Sequence, residues 1–215
     1  MDREEVIARL RGLEPGRRGF GGTSNPEEAA EVRRAVRGDA AVTPDMTRPS
    51  AALRAAAVLV PLVDRSDGLT ILLTQRTAHL NAHAGQIAFP GGRIDPGDVD
   101  AAAAALRETE EEVGLPRRHI TLVGRLDNYV TGTGFEVTPV VGIVTPPFPI
   151  VINPAEVAEA FEVPLGYVLD RANHQRVERE SAGRRRIFYV LPYQGRNIWG
   201  ATAGMLVNLA EVLAG

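Results

Sequence analysis

A run of alanines followed by glutamates, from Ala101 to Leu115, is the feature that most constrains the fold of this 215-residue chain. Five consecutive alanines favour a helix that lies close to its neighbour, because alanine has the highest helix propensity and a very small side chain. We predict a helix from about Val99 to Val113. Gly114 stands where a C-cap glycine ends a helix, and Pro116 prevents its continuation.

Three glutamates share one face of this predicted helix. At about 100° per residue, Glu111 lies about 60° to one side of Glu108 and Glu112 about 40° to the other. Arg107 borders this face and Glu110 points away from it. Oxygen donors of this kind suit Mg²⁺ or Mn²⁺, and such a metal typically works with substrate phosphates. Two interpretations are open at this point: a metal site, or an acidic face that is only solvated.

The composition excludes several classes of protein. The net charge is −3 and there is no large basic block, which argues against a protein that mainly coats nucleic acid. The absence of cysteine excludes disulfides and thiolate chemistry, and the absence of lysine excludes a lysine base. No secretory signal begins the sequence, and no apolar run reaches the ~18 residues of a membrane span. We therefore expect a soluble cytoplasmic protein without a membrane partner.

The sequence divides into a predicted N-terminal helical arm, residues 1–50, and a main domain, residues 51–215. In the arm, Asp2 to Arg11 fits a short amphipathic helix. A second helix is expected from an N-cap at Asn25 to about Arg37. The arginines at its end either complement the helix C-terminus or capture a substrate phosphate: Arg33, Arg34 and Arg37. The arm also suggests a homodimer.

The hydrophobic pattern of the main domain mixes strands and helices without regular β-α-β alternation, which favours a mixed sheet over a doubly wound fold. Strands are predicted at residues 56–63, 69–74, 84–89, 120–126 and 136–145, with a hairpin of 175–180 and 185–191. Pro61 is expected to mark a sheet edge or a bulge. Helices are predicted to start at 153–156 and to cover 165–169 and 202–213.

The end of the carboxylate helix is similar to a known signature. Arg107 to Leu115 reads RETEEEVGL and resembles the end of the Nudix box, GX5EX7REUXEEXGU, in which U is a bulky aliphatic residue. Thr109 stands at one of the U positions. The resemblance implies an α/β fold of the Nudix type, an α/β/α sandwich with a mixed sheet.

The front of the box departs from the generic pattern. Val99 stands where the box has a glutamate eight residues before the arginine. Gly92 precedes Arg107 by fifteen residues instead of fourteen, and Asp98 follows Gly92 by six. The acidic position is therefore shifted by one inserted residue.

The segment before the box resembles the extra signature of the coenzyme A pyrophosphatase branch, approximately LLTxRSxxxRxxxGxxxFPGGxxD. Residues 72–95 read LLTQRTAHLNAHAGQIAFPGGRID. Thr77 replaces the serine and Asn81 replaces the second arginine. The stretches NPAEVAEAFEVPL, from Asn153, and IWGATA, from Ile198, also look like this branch, so the resemblance covers about residues 50 to 212.

The resemblance implies metal-dependent hydrolysis of the pyrophosphate of coenzyme A or its thioesters, giving 3′,5′-ADP and 4′-phosphopantetheine. Asn81 keeps open a second substrate class, ADP-ribose or another nucleoside diphosphate derivative. A third interpretation is a catalytically inactive Nudix-fold module that only binds nucleotides. The survival of all three helix glutamates argues against it.

By position, the resemblance also assigns roles to individual residues. Glu108, Glu111 and Glu112 would bind Mg²⁺ or Mn²⁺, with the Gly91 carbonyl as a further ligand. The catalytic set would be Glu108, which orients or deprotonates water, with Arg107 and Glu111. The expected substrate-binding residues come from the segment before the box: Arg76, Gly85, Phe89 and Gly92.

Four further residues keep two interpretations each. Glu156 is either a base from outside the box or an acid that favours a helix start. His79 and His83 lie in the loop before the box and either touch substrate or are incidental. Trp199 is expected in the core, with stacking on adenine as the alternative.

Overall fold

The structure is a computed structural model that describes residues 1–11, 37–43, 52–79, 84–181 and 184–214. Its helices are α1 (Arg3–Arg11), α2 (Asp39–Val42), α3 (Ala101–Val113), α4 (Leu165–Leu169) and α5 (Ala201–Ala214), with 3₁₀ turns at Arg117–His119 and Arg171–Asn173. Its strands are β1 (Arg37–Gly38), β2 (Arg54–Arg65), β3 (Gly68–Arg76), β4 (Ile87–Ala88), β5 (Gly91–Arg93), β6 (Ile120–Arg125), β7 (Tyr129–Val130), β8 (Phe135–Val144), β9 (Val157–Pro164), β10 (Gln175–Ser181), β11 (Arg184–Tyr193) and β12 (Arg196–Trp199).

Within these residues, nine strands form one mixed sheet and three form a second sheet. The long path of the first sheet runs β1-β7-β8-β2-β3-β4, and β5, β6 and β9 pair with β2, β8 and β3. The β2–β8 and β1–β7 pairs are parallel and the other pairs are antiparallel. The second sheet is the antiparallel array β10-β11-β12. The predicted mixed sheet is confirmed.

The central strand β2 changes partner halfway along one side. Its whole length up to Val63 pairs with β8, but on the other side 56–58 pair with β5 and 62–65 pair with β3. Leu59 donates its N–H to Pro90 on that side (2.9 Å), so the nitrogen of Pro61, two residues on, faces the gap between β5 and β3. Pro61 is tolerated inside the sheet because its missing N–H falls where no partner strand needs a hydrogen bond. It pairs with Gly142 of β8 without a bulge, so the expectation of an edge or bulge was wrong.

Helices cover both faces of the first sheet. Along β2, Val60 and Leu62 belong to the larger apolar cluster, whereas Leu59 and Val63 belong to the clusters on the α3 side. Helices α1 and α5 pack into the larger cluster, so the layers are those of an α/β/α sandwich. The predicted helix near the N-terminus is confirmed as α1. The boundary between arm and domain stays a prediction.

Two other expectations were corrected. The strand predicted at 84–89 is only Ile87–Ala88, because Ala84 and Gly85 form a turn. The second arm helix was predicted over residues that lie outside the described ranges, except for Arg37; this residue begins strand β1, and its guanidinium contacts Asp127 (3.0 Å) and Glu211 (2.6 Å). Because Arg37 is paired twice, it does not suit phosphate capture. Arg33, Arg34 and the N-cap Asn25 lie outside the described residues.

The helix start predicted at 153–156 was also wrong. Asn153 makes the hydrogen bonds of a helix cap: its side chain accepts from Ala155 (3.1 Å) and its carbonyl from Glu156 (3.0 Å). The chain then leaves this single turn as β9, which pairs with β3 from Val157 onward. The predicted hairpin strands, α4 and α5 are confirmed, whereas β12 was not predicted.

Within the described ranges, no helix is both long enough and apolar enough to cross a membrane.

Candidate active site

Helix α3 is held at both ends and along one face. The side chain of its N-cap, Asp100, accepts a hydrogen bond from Ala103 (2.7 Å), and Gly114 takes a left-handed conformation (φ 64°) and donates to the Glu110 carbonyl (3.0 Å). Ala104 and Ala105 are fully buried and pack in the same cluster as residues of β2 and β8. The alanines bring the helix close to the sheet, and the glutamates of the last turns therefore lie near β5.

Glu112 is the buried member of the carboxylate face. It is only 3% exposed, and its Oε2 accepts a long hydrogen bond from the Gly91 amide (3.3 Å). The Nη1 atom of Arg76 lies 3.5 Å from its Oε1. Burial raises the pKa of Glu112 to about 7, against the opposing effects of Arg76 and the Gly91 amide. The charges of Glu108 and Glu156 also raise this pKa, so the site has an excess of negative charge.

Glu108 lies beside Glu112 and touches the glycine loop. Its side chain is 18% exposed, and Arg107 donates to it (Nη1 to Oε1, 3.0 Å). Burial raises the pKa of Glu108, and the hydrogen bond from Arg107 opposes that rise. A Cβ atom added to Gly92 would lie 2.5 Å from the Glu108 carboxylate, so only glycine leaves Glu108 in place.

Arg107 is the centre of the charged network around α3. Its Nε and Nη2 donate to the two carboxylate oxygens of Asp98 (3.1 and 2.9 Å), and Nη1 also donates to Glu111 (3.1 Å). Hydrogen bonding to Arg107 holds the pKa of Asp98 below its usual range, and the same network raises the pKa of Arg107. Asp98 was not among the predicted site residues. The signal that locates it is the acidic position six residues after Gly92.

The outer glutamates of α3 differ in surroundings. The Glu111 side chain is 56% exposed and reaches back to Arg107, as expected for the shared face. Glu110 points away from that face, as predicted, and pairs with Arg117 (3.4 Å). Three carboxylates therefore lie on one side of the helix, but only Glu112 is fully enclosed.

The donor set fits a divalent cation. In the described ranges, no three acids or histidines are already arranged so that they could hold a metal ion, because Arg107 and Arg76 engage the glutamates. Burial nevertheless raises the pKa values of Glu112 and Glu108 together, and a cation among their oxygens would relieve that cost. Side-chain rotation toward a common point would be required. The assignment of Glu108, Glu111, Glu112 and the Gly91 carbonyl as ligands stays a prediction.

A cavity of about 440 Å³ adjoins this site. Arg76 and Phe89 line it. The Nε atom of Arg76 is buried and lacks a hydrogen-bond partner in the part of the chain that the structure describes. Gly85 does not line the cavity; it takes a left-handed conformation (φ 69°) in the turn after β3 and donates to the Arg76 carbonyl (3.2 Å). Gly92 contacts the glutamate side of the site instead.

The structure decides some of the open interpretations. Trp199 is 43% exposed and stands against Phe188 (ring centroids 5.6 Å apart), so the expectation of a core tryptophan was wrong. Because no helix begins at Glu156, the helix-start explanation of this acid was also wrong; its carbonyl accepts from Thr77 (3.0 Å), beside the end of β3. His79 is exposed. Asn81 and His83 lie outside the described residues.

Sequence comparison assigns the chain to a family. The NUDIX domain family matches residues 53–181, which include the glycine loop, the glutamate helix and the sheet that carries them. The chain belongs to this family, and the class of protein is that of the Nudix hydrolases. Nudix hydrolases generally use divalent metal ions and act on small nucleotide-like substrates.

Individual relatives extend this result over most of the chain. The chain is 43% identical over 167 residues to an uncharacterized Nudix hydrolase NudL of Cronobacter sakazakii, covering 78% of this chain and 86% of the relative. It is 41% identical over 167 residues to the NudL protein of Escherichia coli K12, with the same coverage. A crystal structure of a Nudix hydrolase from M. smegmatis, RenU, superposes with a TM-score of 0.53 at 23% identity, over 80% of this chain and 92% of that one, which supports the fold alone.

Proposed function

We propose that this Nudix hydrolase cleaves the diphosphate of coenzyme A or of its thioesters, giving 3′,5′-ADP and 4′-phosphopantetheine or its acyl form. The observation that carries the proposal is the position of Arg76. This arginine belongs to the segment that resembles the coenzyme A branch, and its guanidinium stands between the buried Glu112 carboxylate and the adjoining cavity. One side chain therefore links the hydrolytic site to the part of the sequence that suggests the substrate.

Arg76 has the properties of a phosphate-binding residue. Its buried Nε has no acceptor in the described part of the chain, and a phosphate oxygen would provide one. Its Nη1 would at the same time keep its approach to Glu112 (3.5 Å). A diphosphate bound here would lie next to the glutamates that we propose as ligands.

The residues of α3 are proposed to activate water and to bind the metal. Glu108 orients an attacking water and accepts its proton, and Arg107 holds Glu108 through the contact of 3.0 Å. Glu112, Glu111 and the Gly91 carbonyl would hold Mg²⁺ or Mn²⁺ together with Glu108. When bound, such an ion neutralises the diphosphate charge and lowers the pKa of a water ligand. Glu156, whose charge raises the pKa of both Glu108 and Glu112, is a second candidate base.

A second candidate substrate class is ADP-ribose or a related nucleoside diphosphate derivative. The observation in its favour is Asn81, which replaces the second arginine of the coenzyme A signature. Loss of that cation would weaken contacts to a phosphate-rich substrate and would matter less for one that carries only a diphosphate.

The experiment that tests the proposal is a substrate panel with Mg²⁺ and with Mn²⁺: coenzyme A, acetyl-coenzyme A, ADP-ribose, NADH and nucleoside triphosphates. We expect the highest kcat/KM for coenzyme A or its thioester, with 3′,5′-ADP as a product. Strong turnover of ADP-ribose without turnover of coenzyme A would replace the first substrate class by the second. No turnover of any substrate, with metal binding retained, would favour a binding module.

A cytoplasmic location and a homodimer also stay predictions. Cell fractionation would test the first, and sedimentation of the purified chain would test the second.

A further inference from the structure

A second cavity continues the first one away from the glutamates. Its volume is about 410 Å³, and it shares Asp39, Arg186, Trp199 and Gly200 with the cavity beside Arg76. A molecule whose diphosphate lies at Arg76 can therefore extend past Trp199 into the second cavity. The residues that line the second cavity therefore determine which substrates bind there.

Two arginines that line the second cavity stand directly opposite each other. Arg179 on β10 and Arg186 on β11 are cross-strand partners, and both line the second cavity. Like charges in this arrangement are destabilising. Neither arginine forms an ion pair with any residue that the structure describes, whereas Arg185, on the opposite face of the hairpin, pairs with Glu178. The hairpin thus holds, beside a cavity, two cations that have no ion-pair partner among the described residues.

An aromatic pair lies beside the arginines. Trp199 and Phe188 are in ring contact. Trp199 lines both cavities, and 43% of its surface is exposed. An exposed indole face of this kind can stack on a planar heterocycle. The first cavity therefore presents Arg76, Trp199 and Arg186, and the second cavity adds Arg179 beside the same indole ring.

We propose that Arg179 and Arg186 bind a phosphate monoester on the nucleoside half of the substrate, with the base against Trp199. This inference rests on the proposed function, since the 3′-phosphate of coenzyme A is such a group and ADP-ribose has none. Two guanidinium groups on adjacent strands can donate hydrogen bonds to the oxygens of one phosphate. The phosphate charge then offsets the repulsion between the two arginines.

The acids of the second cavity do not contradict this assignment. Both carboxylate oxygens of Asp39 already accept hydrogen bonds, from the Tyr129 hydroxyl (2.7 Å) and the Gly132 amide (2.6 Å), which reduces its repulsion of a phosphate. Glu180 is opposite Arg185 in the hairpin register and not opposite the arginine pair.

The test compares coenzyme A with dephospho-coenzyme A, which lacks only the 3′-phosphate. In the double variant Arg179→Gln/Arg186→Gln we expect KM for coenzyme A to rise about tenfold or more, and KM for dephospho-coenzyme A and both kcat values to stay nearly constant. The control is Arg176→Gln, an equal change of charge per site on the opposite face of β10, which should leave both KM values unchanged. Thermal melting should show that the double variant is at least as stable as the wild type, because a repulsion has been removed.

A binding measurement keeps this inference separate from the proposed function. Calorimetry should show that the wild type binds 3′,5′-ADP about tenfold or more tightly than AMP, and that the double variant loses the difference. If the wild type hydrolyses coenzyme A but the double variant affects both substrates equally, or 3′,5′-ADP and AMP bind alike, the arginine pair does not recognise the monoester. If coenzyme A is not hydrolysed at all, the proposed function fails, and the calorimetric comparison still decides the role of the pair.

Discussion

Asp98 and Arg107 form a two-point ion pair, with Nε to Oδ1 at 3.1 Å and Nη2 to Oδ2 at 2.9 Å. The third nitrogen of the same guanidinium contacts both Glu108 and Glu111. The pair thus connects the loop before α3 to the glutamates on its exposed face. It fixes the orientation of Arg107, whose Nη1 donates to Glu108 (3.0 Å).

The substitution Asp98→Asn should lower kcat about tenfold to a hundredfold with little change in KM, because Arg107 loses the carboxylate that orients it and Glu108 becomes less well positioned. Steady-state kinetics on the best diphosphate substrate would measure this. Asp95→Asn is the matched control: Asp95 is 64% exposed in its side chain and 3.7 Å from Arg107, so its loss should change kcat by less than about twofold. Equal losses in the two variants would contradict a specific role for Asp98.

The substitution Gly92→Ala should disable the site without unfolding the protein. The added Cβ would lie 2.5 Å from the Glu108 carboxylate and would push it aside, so kcat should fall by about a hundredfold or more. Gly97→Ala serves as the control, because no atom lies within 4 Å of the added Cβ there. Circular dichroism should show unchanged helix content in both variants. Normal activity of Gly92→Ala would mean that Glu108 does not need the space beside Gly92.

The substitution Glu112→Gln should lower kcat by orders of magnitude while the fold is retained, because it removes the most enclosed carboxylate of the proposed metal site. The neighbouring Glu110→Gln, which changes the face that points away, should keep nearly full activity. Near-normal turnover by Glu112→Gln would exclude a ligand role for this residue.

Glu112 should also make the stability of the metal-free protein depend on pH. Its folded-state pKa of about 7 lies above its ordinary value of 4.5, so the folded protein holds this proton more tightly than the unfolded chain. The resulting stabilisation is complete below about pH 4.5 and is lost as the pH rises to about 7, with a total on the order of 3 kcal/mol. Urea unfolding of the wild type and of Glu112→Gln in EDTA should show this difference between pH 5 and pH 8. Parallel pH profiles would contradict it.

Metal binding should depend on pH in the opposite sense to the stability of the metal-free protein. Because we propose Glu112 as a ligand, Mg²⁺ or Mn²⁺ should compete with its proton, and the affinity for the metal should increase as the pH rises through about 7. Calorimetric titration in buffers of different ionisation enthalpy would count the protons released. We expect release near pH 6.5 in the wild type and less in Glu112→Gln. Identical proton release by both proteins would place the titrating group elsewhere.

Much of helix α3 could be predicted from the sequence because its determinants are local. The alanine run, the C-cap Gly114 and the periodicity of the glutamates all act within about four turns, and the structure confirms the helix to within two residues. The same holds for the hairpin strands, which are neighbours in the sequence. The shift of the acidic position to Asp98 was also visible in the spacing.

Other features depended on partners that are distant in the sequence. Asn153 makes the hydrogen bonds of a helix cap. The following residues nevertheless form strand β9, because they pair with β3. Trp199 was expected in the core because it is large and apolar, yet the short strand β12 places it between two cavities. Local propensity could not predict either outcome, because each depends on strand pairing over long separations.

The sequence by itself determined that three glutamates and one arginine lie on one side of one helix, since helical periodicity alone places them there. Only the tertiary structure decided how these carboxylates differ. The approach of α3 to β2 and β5 encloses Glu112 at 3% exposure beside Arg76, while Glu111 keeps a side chain that is 56% exposed. Burial in a low-dielectric surrounding, and not position along the helix, is the physical reason that the pKa of Glu112 is raised to about 7.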